Sequence, residues 1–514
     1  MTDFLRKSTI PFFVFVTGAC VLIIEIVAIR ILAPYFGNTI YTISGVITIV
    51  LLALSLGYYS GGKLADKHPE EKIFYGIITV SGFTVIFLHL FSLIFLPSIG
   101  YRLSIIEGPI ISSVLLFFMQ SFLLGMISPF AIKLQKMRLE DLGVGSASGQ
   151  IFFWSTLGSI FGSLSAGFFL IPNFGIDKIV LSVGVLLIVL GSFGILVLKF
   201  SYKLFVIFFL LVLTSYFVSS LDLNMKGAIF AKDSLYQKVI IYEGVYNEKP
   251  ARFLQQDRNS SAAMFLDSDE LVYEYTKYYA LYQIFNKNIK QALMIGGGAY
   301  SVPKALLKDI SDVKIDVAEI DPLLFDLGKE YFNVPSDPRL INFAEDGRRF
   351  LHDTDKKYDF IFSDAYSSFF STPEHLTTQE FFELVKDKLT NNGVFIANVV
   401  GSLPNPSTRP RTKPESFALS EIKTFKSVFK NSYFFAVNSP DSTKPQNLIF
   451  VGYKGLDKID VNKPEIQQSK NYIMSNLASK QINLDNFEFS TYPILTDDFA
   501  PVDYLISKEF TNLK

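Results

Sequence analysis

Long runs of apolar residues fill the first 222 positions of the chain. A helix needs about 20 predominantly apolar residues to cross the roughly 30 Å hydrocarbon core of a bilayer. Runs of this length occur near 11–33, 40–61, 74–97, 109–132, 147–171, 178–198 and 203–220. The pattern predicts a multipass domain of seven transmembrane helices over residues 1–222, embedded in the lipid bilayer of the cell membrane.

The pattern changes after residue 222. Segments with strand-like alternation, SLYQKVIIYEGV, ARFLQQD and SSAAMFLDSDE, predict a small β-rich subdomain within residues 223–285. A Tyr-rich helix is expected over 269–285. Between 286 and 514, buried strands alternate with helices, which is typical of a parallel α/β sheet. The second half is therefore expected to be a Rossmann-like α/β domain preceded by the small β subdomain.

Composition separates the same two halves. Charged residues make up 18% of the chain, against roughly 25% for an average soluble domain. Residues 1–222 hold 13 Lys/Arg and 10 Asp/Glu, whereas 223–514 hold 34 and 38. The near-zero total charge argues against a nucleic-acid partner. A single cysteine excludes an intramolecular disulfide, and together with only four histidines it argues against a metal site.

Basic residues are distributed unevenly between the predicted membrane loops. Ten lie on the side of the N-terminus, and two, Arg102 and Lys178, lie on the other side. The positive-inside rule therefore predicts a cytoplasmic N-terminus. Seven crossings would then place the α/β domain outside the cell.

Some polar and small residues occur inside the predicted helices. Glu25 and Arg30 stand in the first helix, where a charge is costly at the bilayer centre. Three interpretations are open: the two residues form an internal ion pair, Arg30 extends to the membrane interface, or they form a polar site for a substrate head group. Gly158 and Gly162 have the spacing that lets two helices approach closely, which predicts a packing role.

A glycine-rich turn joins the first strand and helix of the α/β domain. The predicted strand Ala292–Ile295 runs directly into Gly296–Gly298, and glycines at this place let a ligand approach the backbone. The next predicted strand, Ile315–Ala318, ends at Glu319, 21 residues after Gly298. An acid at that distance is placed to accept hydrogen bonds from ribose hydroxyls. The unit predicts a nucleoside site.

Two further acids follow later strands. Asp346 and Gly347 come after the short strand in RLINFAEDGRRFL, and Asp364 follows the predicted strand Phe360–Ser363. Open α/β sheets bind ligands at the carboxyl ends of their strands, so Glu319, Asp346 and Asp364 are expected at one edge. The alternative for each acid is a helix N-cap or turn residue.

These motifs, in this order, resemble the spermidine synthase family of aminopropyltransferases, and in particular its membrane-fused branch. The resemblance is carried by YQ at 236–237, IGGGAYSVP, VAEIDP, EDGRRFL, YDFIFSDAY, HLTTQEFF, NNGVFIANV and, in the first half, IEIVAIRILAPYFGNTIY. It implies a class I methyltransferase-like fold and a membrane-bound enzyme of polyamine biosynthesis. The implied reaction transfers an aminopropyl group from decarboxylated S-adenosylmethionine to an amine such as putrescine, without a metal.

The resemblance also implies roles for individual residues. Position alone, eleven residues after Asp364, makes His375 in TPEHLTTQEF either a second candidate base or a packing or capping residue in a lid over the site. The other expected roles are Glu319 for the ribose, Asp346 and Gly347 for the adenine, Gln237, Gly296 and Gly298 for the donor, Tyr273 for the substrate, and Asp364 as the acceptor of a proton from the attacking amine.

Departures from the family pattern leave alternatives open. Ala299 stands where GGGDGG members have Asp, Ser367 stands at the second acid of a DSSD-like stretch, and Ser261 stands at a family Gln. These changes favour, as a rival, a methyltransferase that uses ordinary S-adenosylmethionine on a membrane-associated acceptor. A third alternative is a transporter with a non-catalytic domain that senses polyamines or nucleosides. The side of the α/β domain stays open, because the count of basic residues places it outside the cell whereas both donors are made in the cytoplasm. A homo-oligomer is a further expectation, since soluble members of the family commonly form dimers or tetramers.

Overall fold

The chain divides into two compact units, Met1–Ala228 and Ile229–Lys514, named here the helical unit and the α/β unit. The structure is a computed structural model that describes residues 2–139, 141–196, 227–257, 259–365, 372–405 and 415–511. The boundary predicted at residue 222 lies outside the described residues.

Long apolar helices build the helical unit. Its described helices are α1 Thr2–Phe36, α2 Ile40–Lys67, α3 Glu71–Ile99, α4 Glu107–Gly125, α5 Ile127–Arg138, α6 Val144–Ser165, which continues through a π-helical turn to Asn173, and α7 Ile176–Leu196. Among the described residues six spans are long and apolar enough to cross a membrane, with α4 and α5 forming one of them. They correspond to the first six predicted helices. The seventh, 203–220, lies outside the described residues.

Glycines allow α1 and α6 to pack closely. A Cβ atom added to Gly158 would overlap the carbonyl oxygen of Phe15, and one added to Gly162 would overlap that of Ala19. Both glycines are buried. The predicted packing role of this pair is confirmed.

The α/β unit begins with a four-stranded sheet in the order β1-β2-β3-β4. The strands are β1 Ala228–Asp233, β2 Lys238–Tyr246, β3 Lys249–Gln256 and β4 Asn259–Phe265. The structure thus confirms strands where the small β subdomain was expected.

The helix expected over 269–285 is wrong in extent and in type. A 3₁₀ helix covers Glu274–Leu281, and one α-helical turn, α8, covers Tyr282–Phe285. A 3₁₀ helix brings side chains three residues apart onto one face. Tyr278 and Leu281 share such a face and are buried in the core, so tertiary packing favours the tighter turn.

Seven strands form the main sheet, in the order β10-β11-β9-β8-β5-β6-β7. β11 pairs antiparallel with both of its neighbours, and the remaining described pairings are parallel. This mixed sheet has the strand order of a methyltransferase-like α/β fold. The parallel pairings expected from the alternation of strands and helices are confirmed, and the antiparallel strand is an addition that the pattern did not indicate. The strands are β5 Gln291–Ile295, β6 Lys314–Ala318, β7 Leu340–Phe343, β8 Tyr358–Ser363, β9 Leu389–Gly401, β10 Asn431–Ala436 and β11 Gln446–Tyr453.

Helices cover both faces of this sheet. Along β5, Ala292 and Met294 belong to one apolar cluster, and Leu293 and Ile295 belong to another, as expected for a strand buried on both faces. The helices are α9 Ser301–Asp309, α10 Pro322–Tyr331, α11 Gly347–Asp353, α12 Gln379–Lys388, α13 Phe417–Val428, α14 Pro464–Gln467, α15 Tyr472–Ser475, α16 Leu477–Lys480 and α17 Val502–Thr511.

The strand order reverses beside β5. The chain proceeds from β5 through β6 to β7 on one side, then returns to β8 on the other. At such a switch point the connections leave in opposite directions and open a crevice at the carboxyl ends of the strands. The candidate site residues follow these strands.

Candidate active site

The turn after β5 requires glycine. Gly296 has φ +88°, and a Cβ added there would lie 2.6 Å from the carbonyl oxygen of Asp364. Gly298 also has positive φ, +52°, but faces more open space. The Gly296 amide donates to Ala318 and the Asp364 amide to Ile295, each at 2.9 Å. The turn is therefore held between the ends of β6 and β8, where glycine lacks the Cβ that would clash.

Glu319, at the end of β6, binds the glycine turn directly. Its carboxylate accepts hydrogen bonds from the amides of Gly297 at 2.7 Å, Gly298 at 3.3 Å and Asp321 at 2.9 Å. Burial raises the pKa of Glu319, and these amide bonds partly offset that rise. A carboxylate offers about four acceptor positions, so capacity remains for a donor group of a ligand.

Asp346 combines a capping role with a second contact. Its Oδ1 accepts from the amides of Arg348 and Arg349, each at 3.0 Å, and so caps the N-terminus of α11. Its Oδ2 lies 2.9 Å from Nε2 of His375. Burial opposes ionisation of Asp346, but the His375 contact and the two amides hold its pKa below the ordinary value. A Cβ on Gly347 would overlap the side chain of Ile295, so the cap packs tightly on the end of β5.

Asp364 follows β8 and is mostly buried. Nδ2 of Asn398 donates to its Oδ1 at 2.8 Å, and Asn398 in turn accepts from Nδ2 of Asn447 at 2.9 Å. Burial raises the pKa of Asp364, while the hydrogen bonds from Asn398 and the Tyr275 hydroxyl partly counter the rise. A carboxyl group with a raised pKa, fixed by neutral donors, is suited to accept a proton.

Tyr273 is separated from Asp364 by the ring of Tyr275, whose hydroxyl bonds Asp364. Its ring stacks against that of Tyr275 with centroids 6.1 Å apart, and its hydroxyl pairs with Oγ of Ser260 at 2.6 Å. Burial raises the pKa of Tyr273 to about 12, so it stays neutral near pH 7. Ser261, at the family Gln position, donates to the carbonyl of Leu254 at 3.2 Å.

Gln237 is buried between β1 and β2. The electrostatic surroundings of this segment affect the pKa of the adjacent Tyr236. Burial, and then the negative charges of Asp321, Asp346 and Glu319, raise the pKa of the Tyr236 hydroxyl. The Tyr236 hydroxyl therefore lies near these acids at the edge of the main sheet.

The predicted residues form two groups at this edge. Glu319 accepts hydrogen bonds from the amides of Gly297 and Gly298 in the turn, and Asp364 adjoins Gly296 of the same turn through its backbone. His375 contacts Asp346 rather than Asp364, and its side chain is 48% exposed. Ser367 lies outside the described residues.

Several residues of the site were missed from sequence. Asn398 is a polar residue in the otherwise apolar run GVFIANVV, a signal that was available. The sequence around Tyr275 and Asn447 has no comparable pattern that would single them out as site residues. Among the described residues, no group of three or more His, Cys, Asp or Glu is placed to hold a metal ion.

Residues 278–443 match the spermine/spermidine synthase domain. The comparisons support the synthase family. The polyamine aminopropyltransferase of Vibrio vulnificus is 25% identical over 302 residues, which cover 56% of this chain and 94% of that protein. That of Clostridium perfringens is 36% identical over 115 residues, covering 22% and 40%.

Polyamine aminopropyltransferase 2 of Aquifex aeolicus is 24% identical over 406 residues, 74% of this chain and 77% of that protein. This alignment is longer than the α/β unit and so extends into the helical unit. Among solved structures, a probable spermidine synthase from Corynebacterium glutamicum has 20% identity and TM-score 0.40, covering 48% of this chain and 87% of that one. The spermidine synthase of Thermotoga maritima has 18% identity and TM-score 0.35, covering 56% and 88%.

Proposed function

We propose that the α/β unit transfers an aminopropyl group from decarboxylated S-adenosylmethionine to an amine such as putrescine. The observation that carries this proposal is the meeting of Glu319, the glycine turn and Asp364 at the switch point, inside a segment that matches the synthase domain. Relatives named polyamine aminopropyltransferases align over as much as 94% of their length.

The donor would lie along the turn between β5 and β6. Glu319 would accept hydrogen bonds from the ribose hydroxyls, and Gly298 leaves open space for the nucleoside beside the backbone. Asp346 would accept from the amino group of adenine, with Gly347 packed below it. Gln237 would close the donor site from the small sheet.

Asp364 would serve the acceptor. An ammonium group has no lone pair, so the amine must lose a proton as its nitrogen attacks the carbon beside the sulfonium. The new C–N bond forms while the C–S bond breaks, and the sulfur keeps that electron pair as methylthioadenosine leaves. Asp364 takes the proton, directly or through a water. Tyr273 and Tyr275 would line the acceptor side with neutral hydroxyls.

One observation favours methyl transfer as a second candidate. Ala299, at the place of the family Asp, is buried and apolar, so the site lacks a carboxylate to pair with the donor's free ammonium. Ordinary S-adenosylmethionine carries a carboxylate of its own and is not repelled there. This candidate predicts a methylated acceptor instead of spermidine.

Calorimetry on the full chain in detergent, with each donor in turn, tests the two candidates. We expect tighter binding of the decarboxylated donor, and spermidine as the product from putrescine. Failure of both donors to bind would overturn both candidates.

The Asp364→Asn variant tests the base. We expect kcat to fall by at least about 100-fold, with donor affinity retained. The matched control is Asp355→Asn, an exposed acid just before β8, which should keep the wild-type rate. Full activity of Asp364→Asn would exclude Asp364 as the base.

A further inference from the structure

A turn near the end of the described chain is tied to the adenosine side of the site by one ion pair. Nη1 and Nη2 of Arg348, on α11, donate to Oδ1 and Oδ2 of Asp497 at 2.7 and 2.5 Å. This geometry is bidentate, which fixes the orientation of the guanidinium plane as well as its position. The side chains are 23% and 43% exposed.

The Asp497 carboxylate is itself held in place. The Thr378 hydroxyl donates to its Oδ1 at 2.7 Å, and the Asp497 amide donates to Oε2 of Glu380 at 3.0 Å. The amide of Gln379 donates to the carbonyl of Leu495 at 2.8 Å. The turn is therefore docked on the first residues of α12, and Asp497 is a fixed acceptor for Arg348.

Because Arg348 is fixed in this way, its contacts also fix His375 and Asp346, the acid proposed to bind adenine. Its Nη1 donates to the carbonyl of His375 at 3.0 Å, and its backbone amide donates to Oδ1 of Asp346 at 3.0 Å. Nε2 of His375 lies within hydrogen-bond distance of Oδ2 of Asp346, at 2.9 Å, and this contact completes the set. Asp346, Arg348 and His375 thus form a closed ring of contacts, and Asp497 anchors its most flexible member.

We propose that Asp497 is a positioning residue of the donor site. By fixing Arg348, it sets the backbone and ring of His375 against Asp346, and so sets the direction in which the Asp346 carboxylate faces the nucleoside. The inference rests on the proposed function, since it takes the ligand at Asp346 to be the adenosyl donor. Asp497→Asn keeps the backbone hydrogen bonds that dock the turn, and its side-chain oxygen can still accept from Thr378. We therefore expect this change to affect donor recognition more than folding.

The test compares Asp497→Asn with Asp498→Asn in the full chain, in detergent or lipid nanodiscs. The two variants make the same charge change at adjacent exposed positions, but only Asp497 bonds Arg348. We expect Asp497→Asn to raise KM for decarboxylated S-adenosylmethionine about tenfold, with KM for putrescine within about twofold of wild type. Its melting temperature should stay within about 2 °C of the Asp498→Asn value.

A second variant changes Arg348, the other partner of the ion pair with Asp497. Arg348→Lys keeps the charge but loses the planar fork, and should raise the same KM. The double variant should lose no more than the worse single variant, because both changes break one link.

Equal donor KM values for Asp497→Asn and Asp498→Asn would overturn the inference. So would a uniform loss of all kinetic parameters together with a lower melting temperature, which indicates a structural role. Failure of the proposed function is read separately, from wild-type protein that binds neither donor.

Discussion

At the residue scale, Asp364 depends on a relay of two amides. Asn447 lies on β11, the antiparallel strand of the main sheet, and donates to Asn398, which donates to Asp364. The relay fixes the side-chain amide of Asn398 so that its NH₂ faces the carboxylate. An ionised carboxylate gains more from such a donor than a protonated one.

Removing the last amide should shift the pH dependence of the reaction. In Asn398→Ala the ionised form of Asp364 loses a donor, so its pKa rises further and Asp364 stays protonated over a wider acid range. We expect the acid limb of kcat/KM for putrescine to move up by about one pH unit. Asn392→Ala, at an exposed position of the same strand, is the control, and an unmoved limb in Asn398→Ala would contradict the role.

Glu421 is a buried acid that has no role in the proposed reaction. It lies on α13, and its Oε2 has no hydrogen-bond partner among the described residues. The neighbouring Glu509 accepts from the amides of Ser402 and Ala418 and from the Ser416 hydroxyl. Burial, and then the charge of Glu509, raise the pKa of Glu421 well above its ordinary value.

This shift predicts a pH-dependent stability. Since the folded state binds the Glu421 proton more tightly than the unfolded state does, stability is full below the unfolded pKa and falls as pH rises through the folded pKa. Glu421→Gln removes the ionisation, so it should stabilise the α/β unit by about 1 kcal/mol or more near pH 8, and by less near pH 5. Scanning calorimetry measures this, with exposed Glu465→Gln as the control. A destabilised Glu421→Gln protein at pH 8 would refute the assignment.

At the element scale, the sequence predicted the positions of the strands more accurately than the side-chain contacts between distant segments. β5 was expected at Ala292–Ile295 and is Gln291–Ile295, because an apolar run that ends in glycines has few alternatives. The Tyr-rich segment failed as a helix because its packing, which no local pattern encodes, selects a 3₁₀ helix. Acids after strands were predictable from the sheet rule, whereas the pairing of Arg348 with Asp497 spans 149 residues and has no local signal.

The contact of α1 with α6 gives a test within one helix. A leucine at Gly158 must displace the backbone at Phe15, whereas Gly149, also on α6, has nothing within 4 Å of an added Cβ. We expect Gly158→Leu to lower the yield of monodisperse protein several-fold and its melting temperature by several degrees. Gly149→Leu should behave as wild type. Equal behaviour of the two variants in size-exclusion chromatography would argue against close packing of these helices.

At the scale of the whole molecule, a unit of long apolar helices and an α/β unit share one chain. The described spans fit a multipass protein by length and composition. Their orientation is set, in our prediction, by the ten basic residues on the side of the N-terminus.

The single cysteine, Cys20, makes this orientation measurable. It is buried in α1, so Cys20→Ala provides a background for single reporter cysteines. In intact cells, a membrane-impermeant maleimide should label Ser104→Cys and leave Asp141→Cys unlabelled. Thr443→Cys decides the side of the α/β unit, because seven crossings would expose it to the reagent, whereas use of a donor made in the cytoplasm requires it to be protected. Labelled Asp141→Cys would reverse the predicted orientation, and labelled Thr443→Cys would place the α/β unit outside the cell.

The pairing of Arg348 with Asp497 also has a consequence for biosynthesis. On the ribosome, Arg348 is polymerised 149 residues before its partner. The glycine turn, Glu319 and Asp346 are then already made, but the guanidinium has no Asp497 to orient it. Donor recognition would therefore be completed only after Asp497 has been translated, so chains that stop before this residue would not compete with longer ones for the nucleoside.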